Sequence, residues 1–513
     1  MATPAHADWY EASSENFVIY ADDSVKDIRK FAENLERFHQ AMEIATGRKL
    51  EKPSPSNRVT IYVVGDDRDI DRLVGVKNSA IAGFYVPRAG GSVAFVQDIR
   101  FESGYPSFST VVLLHEYAHH FLISSSRYAM PRWMSEGAAE FFAAAGFDSD
   151  GTVRTGRPAQ HRAGDLYYAS DVSVAELLDH ELYAKRKSTT YDAFYGRSWL
   201  LFHYLTFSET RKGQLSQYWL ELARGAPAVE AAKKVFGDFA ALEKELDKYL
   251  KQRRMYEFKI PPGAIQLGPI SLRALTQGEA KAMPLVIRSK RGVDKEEAAE
   301  VVADMRKVAA AFPDDAGVLS ALAEAEFDSG NHDAAIAAAD RAIAIDPAAR
   351  NAYVQKGYAL FAKAGEAEDV DAAYATAMKP FNRLNAIEND HPLPLIYYYR
   401  SYNERGREPS ENAKHALERA YQLAQFDHSL ATNVAMMQAG EGKILLAAET
   451  LAPVAADPHG GGLAKYAQDM ITSLRQSTEG EPFDFAAFEL LRSASAASEG
   501  PAAGNGEEPN AEE

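Results

Sequence analysis

Val111 to Leu122 reads VVLLHEYAHHFL, an apolar stretch of helical character that carries His115, Glu116 and His119. On a helix, residues four apart share a face, so His115 and His119 can reach a single ion. Glu116 stands beside the first histidine, where a carboxylate can take a proton from an activated water. The spacers Tyr117 and Ala118 are uncharged and the flanks are almost wholly apolar. A buried helix with such groups needs a partner for them, because unpaired buried polar groups are costly. A divalent cation is one such partner. The bare five-residue pattern also fits an ordinary helix with a partly exposed polar face.

A second stretch, PRWMSEGAAEFF, spans Pro131 to Phe142. Sixteen residues separate His119 from Glu136, enough to end one helix, turn and begin another packed against it. A catalytic zinc site takes three protein ligands and leaves its fourth position to water. Glu136 is placed to be the third. Glu140 lies four residues on, on the same face, where it can accept the N–H of a ligand histidine and fix its tautomer. Ser135 reads as a helix cap and Pro131 as an extended approach to it.

HExxH followed by a WxxEGxAE segment resembles the gluzincin metallopeptidases, the peptidase-MA-like group, over about the first half of the chain. The resemblance implies one Zn2+ per chain held by His115, His119 and Glu136, with Glu116 as general base. In the related aminopeptidases a tyrosine opens a tyrosine-then-helix segment and stabilises an oxyanion. The match here falls on Tyr195, within TYDAFYGRSWLLFHYL (Thr190 to Leu205), with Tyr191 as the substitute. A phenol O–H aimed at developing negative charge provides electrostatic stabilisation, while packing is the plainer reading of a tyrosine at a helix start. Those aminopeptidases also carry an upstream GxMEN strand whose glutamate binds the substrate's amino group. The corresponding AGGSVAFVQ, Ala89 to Gln97, has no acidic residue. Internal cleavage is therefore expected over removal of N-terminal residues. The same stretch reads as a strand with an exposed edge open to an extended peptide. His120 points about a third of a turn away from its neighbour. It and His161, His180 and His203, which lack ligand spacing, read as packing or surface.

At 513 residues and 46% apolar content the chain has material for two to four domains. Its net charge of −17 argues against nucleic acid as a partner. The absence of cysteine excludes disulfides and thiolate metal sites without deciding the compartment. No apolar run is long enough to predict a membrane-spanning helix. Ala5-His6-Ala7 resembles a signal-peptide cleavage site just ahead of folded-looking sequence. The expectation is an exported, periplasmic protein if that is a stub, and a cytoplasmic one if it is a frayed terminus.

Strand-like NFVIYA and RVTIYVVG, a helix over Val25 to Thr46 and a hairpin in GFYVPRAGGSVAFV precede the HEYAH run, predicting an α+β zincin-like catalytic domain over 8–258. Residues 259–294, with a Pro-Pro-Gly, read as a linking segment. Over 295–476 a 34-residue period recurs: Pro313 and Pro347, then Gly406 and Gly440, with Ala323, Ala335, Ala342, Tyr353, Gly357, Tyr374, Ala377 and Pro380 at helix contacts. This resembles tetratricopeptide repeats and predicts an all-α helical solenoid with a concave groove, closed by a helix near Leu463 to Leu474. YYYR, Tyr397 to Arg400, reads as core packing before groove lining. Residues 477–513 end in an acidic tail, from Ser493 on, expected to be disordered. The function expected is a zinc-dependent endopeptidase whose repeats bind a protein substrate or partner. The alternative is an inactive metallopeptidase-like scaffold acting as a repeat-based adaptor.

Overall fold

The structure, a computed structural model, describes residues 9–75, 81–99, 105–126, 128–186, 191–457 and 459–498. Ala5-His6-Ala7 and the tail beyond 498 lie outside them; Ser493 to Ser498, expected to be disordered, instead continue the helix Phe485–Ser498. The chain forms two compact units that interleave along the sequence: 1–36, 51–99 and 268–430 make one, and 37–50, 100–267 and 431–513 the other. This differs from four consecutive segments. The stretch expected to be a link, 259–294, contributes strands to two sheets and a helix, Gln277–Arg291.

The described strands are β1 (Tyr10–Ser13), β2 (Phe17–Ala21), β3 (Val59–Val63), β4 (Gly83–Val86), β5 (Val93–Val96), β6 (Gly146–Phe147), β7 (Val153–Thr155), β8 (Phe258–Ile260) and β9 (Ser271–Ala274). In the first unit they form a six-stranded sheet, β4-β5-β3-β2-β1-β9. The β2–β3 and β3–β5 pairs are parallel and the others antiparallel. Parallel strands are covered on both faces and read as continuous apolar runs, as VTIYV and VAFV do; every side chain of β5 is buried. Tyr20, Tyr62, Phe95 and Phe84 stack across four neighbouring strands, with ring centroids 5.4, 5.6 and 4.7 Å apart. Each such pair contributes roughly 0.2–1 kcal/mol. Met283 and Ile287, from the Gln277–Arg291 helix, pack into the same cluster as Tyr62, Val93 and Phe95.

The expected free edge on Ala89 to Gln97 is not present. β5 lies between β3 and β4, and both its edges are hydrogen-bonded. The hairpin itself forms as expected, but its first strand, not its second, is at the rim.

Helix pairs follow: Ala316–Asp328 with His332–Ile345, Arg350–Ala364 with Val370–Ile387, and Pro392–Asn403 with Glu411–Leu423. Aspartate and serine caps start several of them; Asp315, Asp369 and Ser410 each accept a hydrogen bond from the backbone N–H three residues on. Ala323, Ala339, Ala342 and Ala352 are buried together where small side chains let helices approach closely. Pro380 does not end its helix as Pro347 does; it lies buried inside Val370–Ile387. Tyr397 stacks on Phe381 at 4.4 Å and meets Phe361 edge-on at 4.8 Å, so it packs against the core, with Tyr398 beside it, while Arg400 is exposed. The repeat helices also hold loops of the sheet. Ser56 donates its backbone N–H and its hydroxyl to Glu388 at 2.8 and 2.9 Å, Arg350 meets the same carboxylate at 2.7 Å, and the N–H of Ala89 donates to Asp427 at 2.9 Å.

The second unit holds the HEYAH helix (Phe108–Ser124), the EGAAE helix (Arg132–Ala143), the helix Phe194–Phe207 and a small antiparallel sheet, β6-β7-β8. It also holds Ile444–Ala455 and the expected closing helix, Gly461–Leu474. Among the described residues, no helix is long and apolar enough to cross a membrane.

Candidate metal centre

The HEYAH helix starts at Ser107, whose hydroxyl accepts from the N–H of Thr110. From Ser109 to Leu122 every side chain is buried except Glu116, which is partly exposed. The EGAAE helix is buried from Trp133 to Ala143. Its N-cap is Pro131, not Ser135. Ser135 lies inside the helix, with its hydroxyl 3.2 Å from His119 Nδ1. Gly137, between the two glutamates, faces the helix Phe194–Phe207 at a distance no larger residue fits: a Cβ there would stand 2.4 Å from the Ser198 carbonyl oxygen.

His115, His119 and Glu136 converge, all three buried. His115 Nε2 and His119 Nε2 are 3.0 Å apart, and each is 3.3 Å from Glu136 Oε2. Ligands bound tetrahedrally to zinc at 2.0–2.1 Å are separated by about 3.3 Å, so this triangle has the right edges. Glu136 has no exposed surface, and neither of its oxygens has a hydrogen-bond partner in good alignment. Burial pushes its pKa up, but His119 and the imidazoles of His115 and His459 outweigh that and hold the carboxyl well below the usual range. An ionised, buried carboxylate facing two imidazole nitrogens is left unsatisfied by the protein alone. The donor set, two imidazoles and one carboxylate, is that of open catalytic zinc sites.

Around the triangle the outer contacts are dense. His115 Nδ1 is 3.3 Å from Glu140 Oε1, as the spacing of the two glutamates predicts. Glu140 is also 2.5 Å from His161 Nε2 and accepts from Arg162 Nε at 2.9 Å. Burial raises its pKa; Arg162 and His161 overcome that and keep it well below the ordinary value. His161, read from sequence as packing or surface, is therefore part of the site's support.

Tyr195 sits half-buried at the start of its helix, its ring under the Arg162 guanidinium at 4.7 Å. Burial lowers the Arg132 pKa, but Tyr195, also its hydrogen-bond partner, and Glu136 raise it overall. The Tyr195 hydroxyl is thus engaged by an arginine that also feels Glu136. Tyr191, the substitute, donates to Asp165 at 2.9 Å.

One further residue arrives from far along the chain. His459 Nε2 lies 3.1 Å from Glu136 Oε1, and its ring meets that of His119 edge-on at 6.0 Å. No local spacing in the sequence marks it; only its place in the glycine-rich HGGG run (His459 to Gly462) sets it apart. Of the other described histidines read as packing or surface, three have these surroundings. His120 is buried against Tyr117, with its pKa pushed down to about 3 by burial and by His39. His203 contacts the Tyr249 hydroxyl at 2.8 Å and the Gly156 carbonyl at 3.0 Å. His180 opens a short helix, His180–Ala184.

A family described as "Protein of unknown function (DUF1570)" matches residues 108–228, the stretch that contains both metal-site helices and Tyr195. Among solved structures, a thermophilic TPR protein of Thermus thermophilus is similar at 15% identity, with 38% of this chain and 99% of that chain covered and a TM-score of 0.33. That overlay is too loose to bear on the fold, which rests on the helix pairs described above. No curated protein matches the chain.

Proposed function

We propose that this chain is a zinc-dependent peptidase of gluzincin type, with a zincin-like catalytic region and helical repeats that engage a protein substrate or partner. The observation that carries the reading is the triangle of His115 Nε2, His119 Nε2 and Glu136 Oε2, with edges of 3.0–3.3 Å, beside a glutamate that reaches solvent from an otherwise buried run. Held by His115, His119 and Glu136, a zinc ion would acidify a bound water and polarise a substrate carbonyl.

The chain's own residues do the rest. Glu116 accepts the water's proton and returns it to the leaving amine. Glu140 takes the Nδ1–H of His115, which leaves the Nε2 lone pair for the metal; Ser135 plays the same part for His119. Arg132, whose charge Glu136 feels, and the Tyr195 O–H it engages are the candidates for steadying negative charge there. Endopeptidase action is proposed from the resemblance alone: Ala89 to Gln97, which corresponds to the GxMEN strand of the related aminopeptidases, has no acidic residue.

A second reading, a repeat-based interaction scaffold with an inactive or structural metal centre, is favoured by the engagement of the Tyr195 hydroxyl with Arg132 and by the extent of the helix pairs. The deciding experiment compares wild type and Glu116→Gln. Equal zinc content with loss of internal cleavage of an N-terminally blocked peptide supports the peptidase. No cleavage by wild type, with zinc bound, supports the scaffold.

A further inference from the structure

We propose that His459 is a positioning residue of this centre: it holds the outer oxygen of Glu136, so that the carboxylate offers the ion one oxygen and not two. The inference rests on the zinc reading above and adds to it a residue outside the HEYAH and EGAAE segments.

The two oxygens of Glu136 have different surroundings. Oε2 lies 3.3 Å from both ligand imidazoles, while Oε1 lies 3.1 Å from His459 Nε2. His459 is not a fourth ligand in this arrangement. The donors that fall within 4.8 Å of one another belong to His115, His119 and Glu136 alone among the described residues, whereas a tetrahedral ligand must stand about 3.3 Å from each of the others. A carboxylate free to turn can bind a cation through both oxygens, which would occupy the position a water needs. An imidazole Nε2 standing 3.1 Å from Oε1 opposes that turn and orients Oε2. Such outer contacts fix ligand geometry and tune the metal.

His459 lies just ahead of the helix Gly461–Leu474 and has local contacts of its own. The His459 backbone N–H donates to Asp457 Oδ1 at 2.9 Å. A Cβ on Gly460 would stand 2.8 Å from that of Ala464, and Gly461 adopts φ +47°, a conformation glycine tolerates best. The imidazole, 29% exposed, covers a carboxylate with no exposure at all. The C-terminal helices are therefore part of the metal centre and not an appendage to it.

The test uses the full chain loaded with zinc alone, and reads affinity by competition with a chromophoric chelator and ligand number by zinc X-ray absorption. Wild type, His459→Ala, His459→Gln and His115→Ala are compared, with a thermal melt for each. The proposal expects His459→Ala to bind zinc about 10- to 100-fold more weakly with the wild-type number of imidazoles. It expects His459→Gln, which keeps an N–H donor, to recover most of the loss. Unchanged affinity in His459→Ala overturns it. So does the disappearance of one imidazole from the spectrum, which would make His459 a ligand, or an equal loss in both variants with a lowered melting temperature, which would make it packing. Failure of wild type to bind zinc, or unaltered binding by His115→Ala, overturns the zinc reading itself and this inference with it.

Discussion

Gly137 and Ser198 are in backbone contact so close that a methyl group on the first would stand 2.4 Å from the carbonyl oxygen of the second and 3.0 Å from the Cβ of Phe202. The EGAAE helix can deliver Glu136 and Glu140 to the centre only because nothing separates it from its neighbour at this point. Gly137→Ala brings the higher helix propensity of alanine, worth about 1 kcal/mol. It also forces two backbones apart, and overpacking costs about 1–3 kcal/mol or more. The net expectation is a lower urea midpoint together with weaker zinc binding; a stabilised variant would refute it.

Glu140→Gln removes the charge that faces His115, His161 and Arg162. Breaking a buried ionic contact by removing one partner costs roughly 3–5 kcal/mol; Asp165, 3.7 Å from Arg162, offsets part of it. Zinc affinity should fall about 10- to 100-fold, as for other carboxylates that orient a ligand histidine. Chemical denaturation and chelator competition measure the two effects separately. A variant changed in stability but not in zinc affinity would remove Glu140 from the site.

His203 gives a pH dependence with a definite sign. Burial pushes its pKa down to about 4, against the support of the Gly156 and Tyr256 carbonyls, while the unfolded chain titrates near 6.5. Below about pH 6.5 the unfolded state takes up a proton that the native state refuses. Stability from this group is complete above that pH and declines toward pH 4, by up to about 3 kcal/mol. Urea titrations at a series of pH values should show a shallower decline in His203→Gln than in wild type. Parallel curves would show that His203 is not the source.

Tyr195→Phe deletes the hydroxyl engaged by Arg132 and leaves the ring under Arg162. If the O–H reaches an oxyanion during turnover, kcat should drop by about 10²-fold, the loss seen for one such donor, with zinc affinity as in wild type. An unchanged kcat would assign Tyr195 to packing.

Much of this architecture is written locally. The helix Val25–Thr46 forms over the span its periodicity predicts, and the four-residue spacings within HEYAH and EGAAE place two histidines, then two glutamates, on common faces. Such signals extend over one or two helical turns. Residues joined only by the fold leave no comparable trace. His161 reaches Glu140, and His459 reaches Glu136, from loops with no ligand spacing to betray them. Ser135 was expected as a cap because serine before an apolar run commonly is one; in a fully buried helix its hydroxyl serves His119 instead. The interior position of β5 is likewise invisible in its own four residues, since strand neighbours are set by pairing partners distant in sequence.

The partnership of β1 with β9 bears on how the protein can be cut. Tyr10 pairs with Ala274 and Ser13 with Ser271. An expression fragment ending at 258 would keep β1 but lose its outer neighbour, baring a row of amide and carbonyl groups along the rim. Bare rims of this kind recruit other chains. Truncation at the apparent boundary should therefore yield a sticky, associating product, whereas a fragment designed around the first unit would have to combine segments as distant as 1–36 and 268–430.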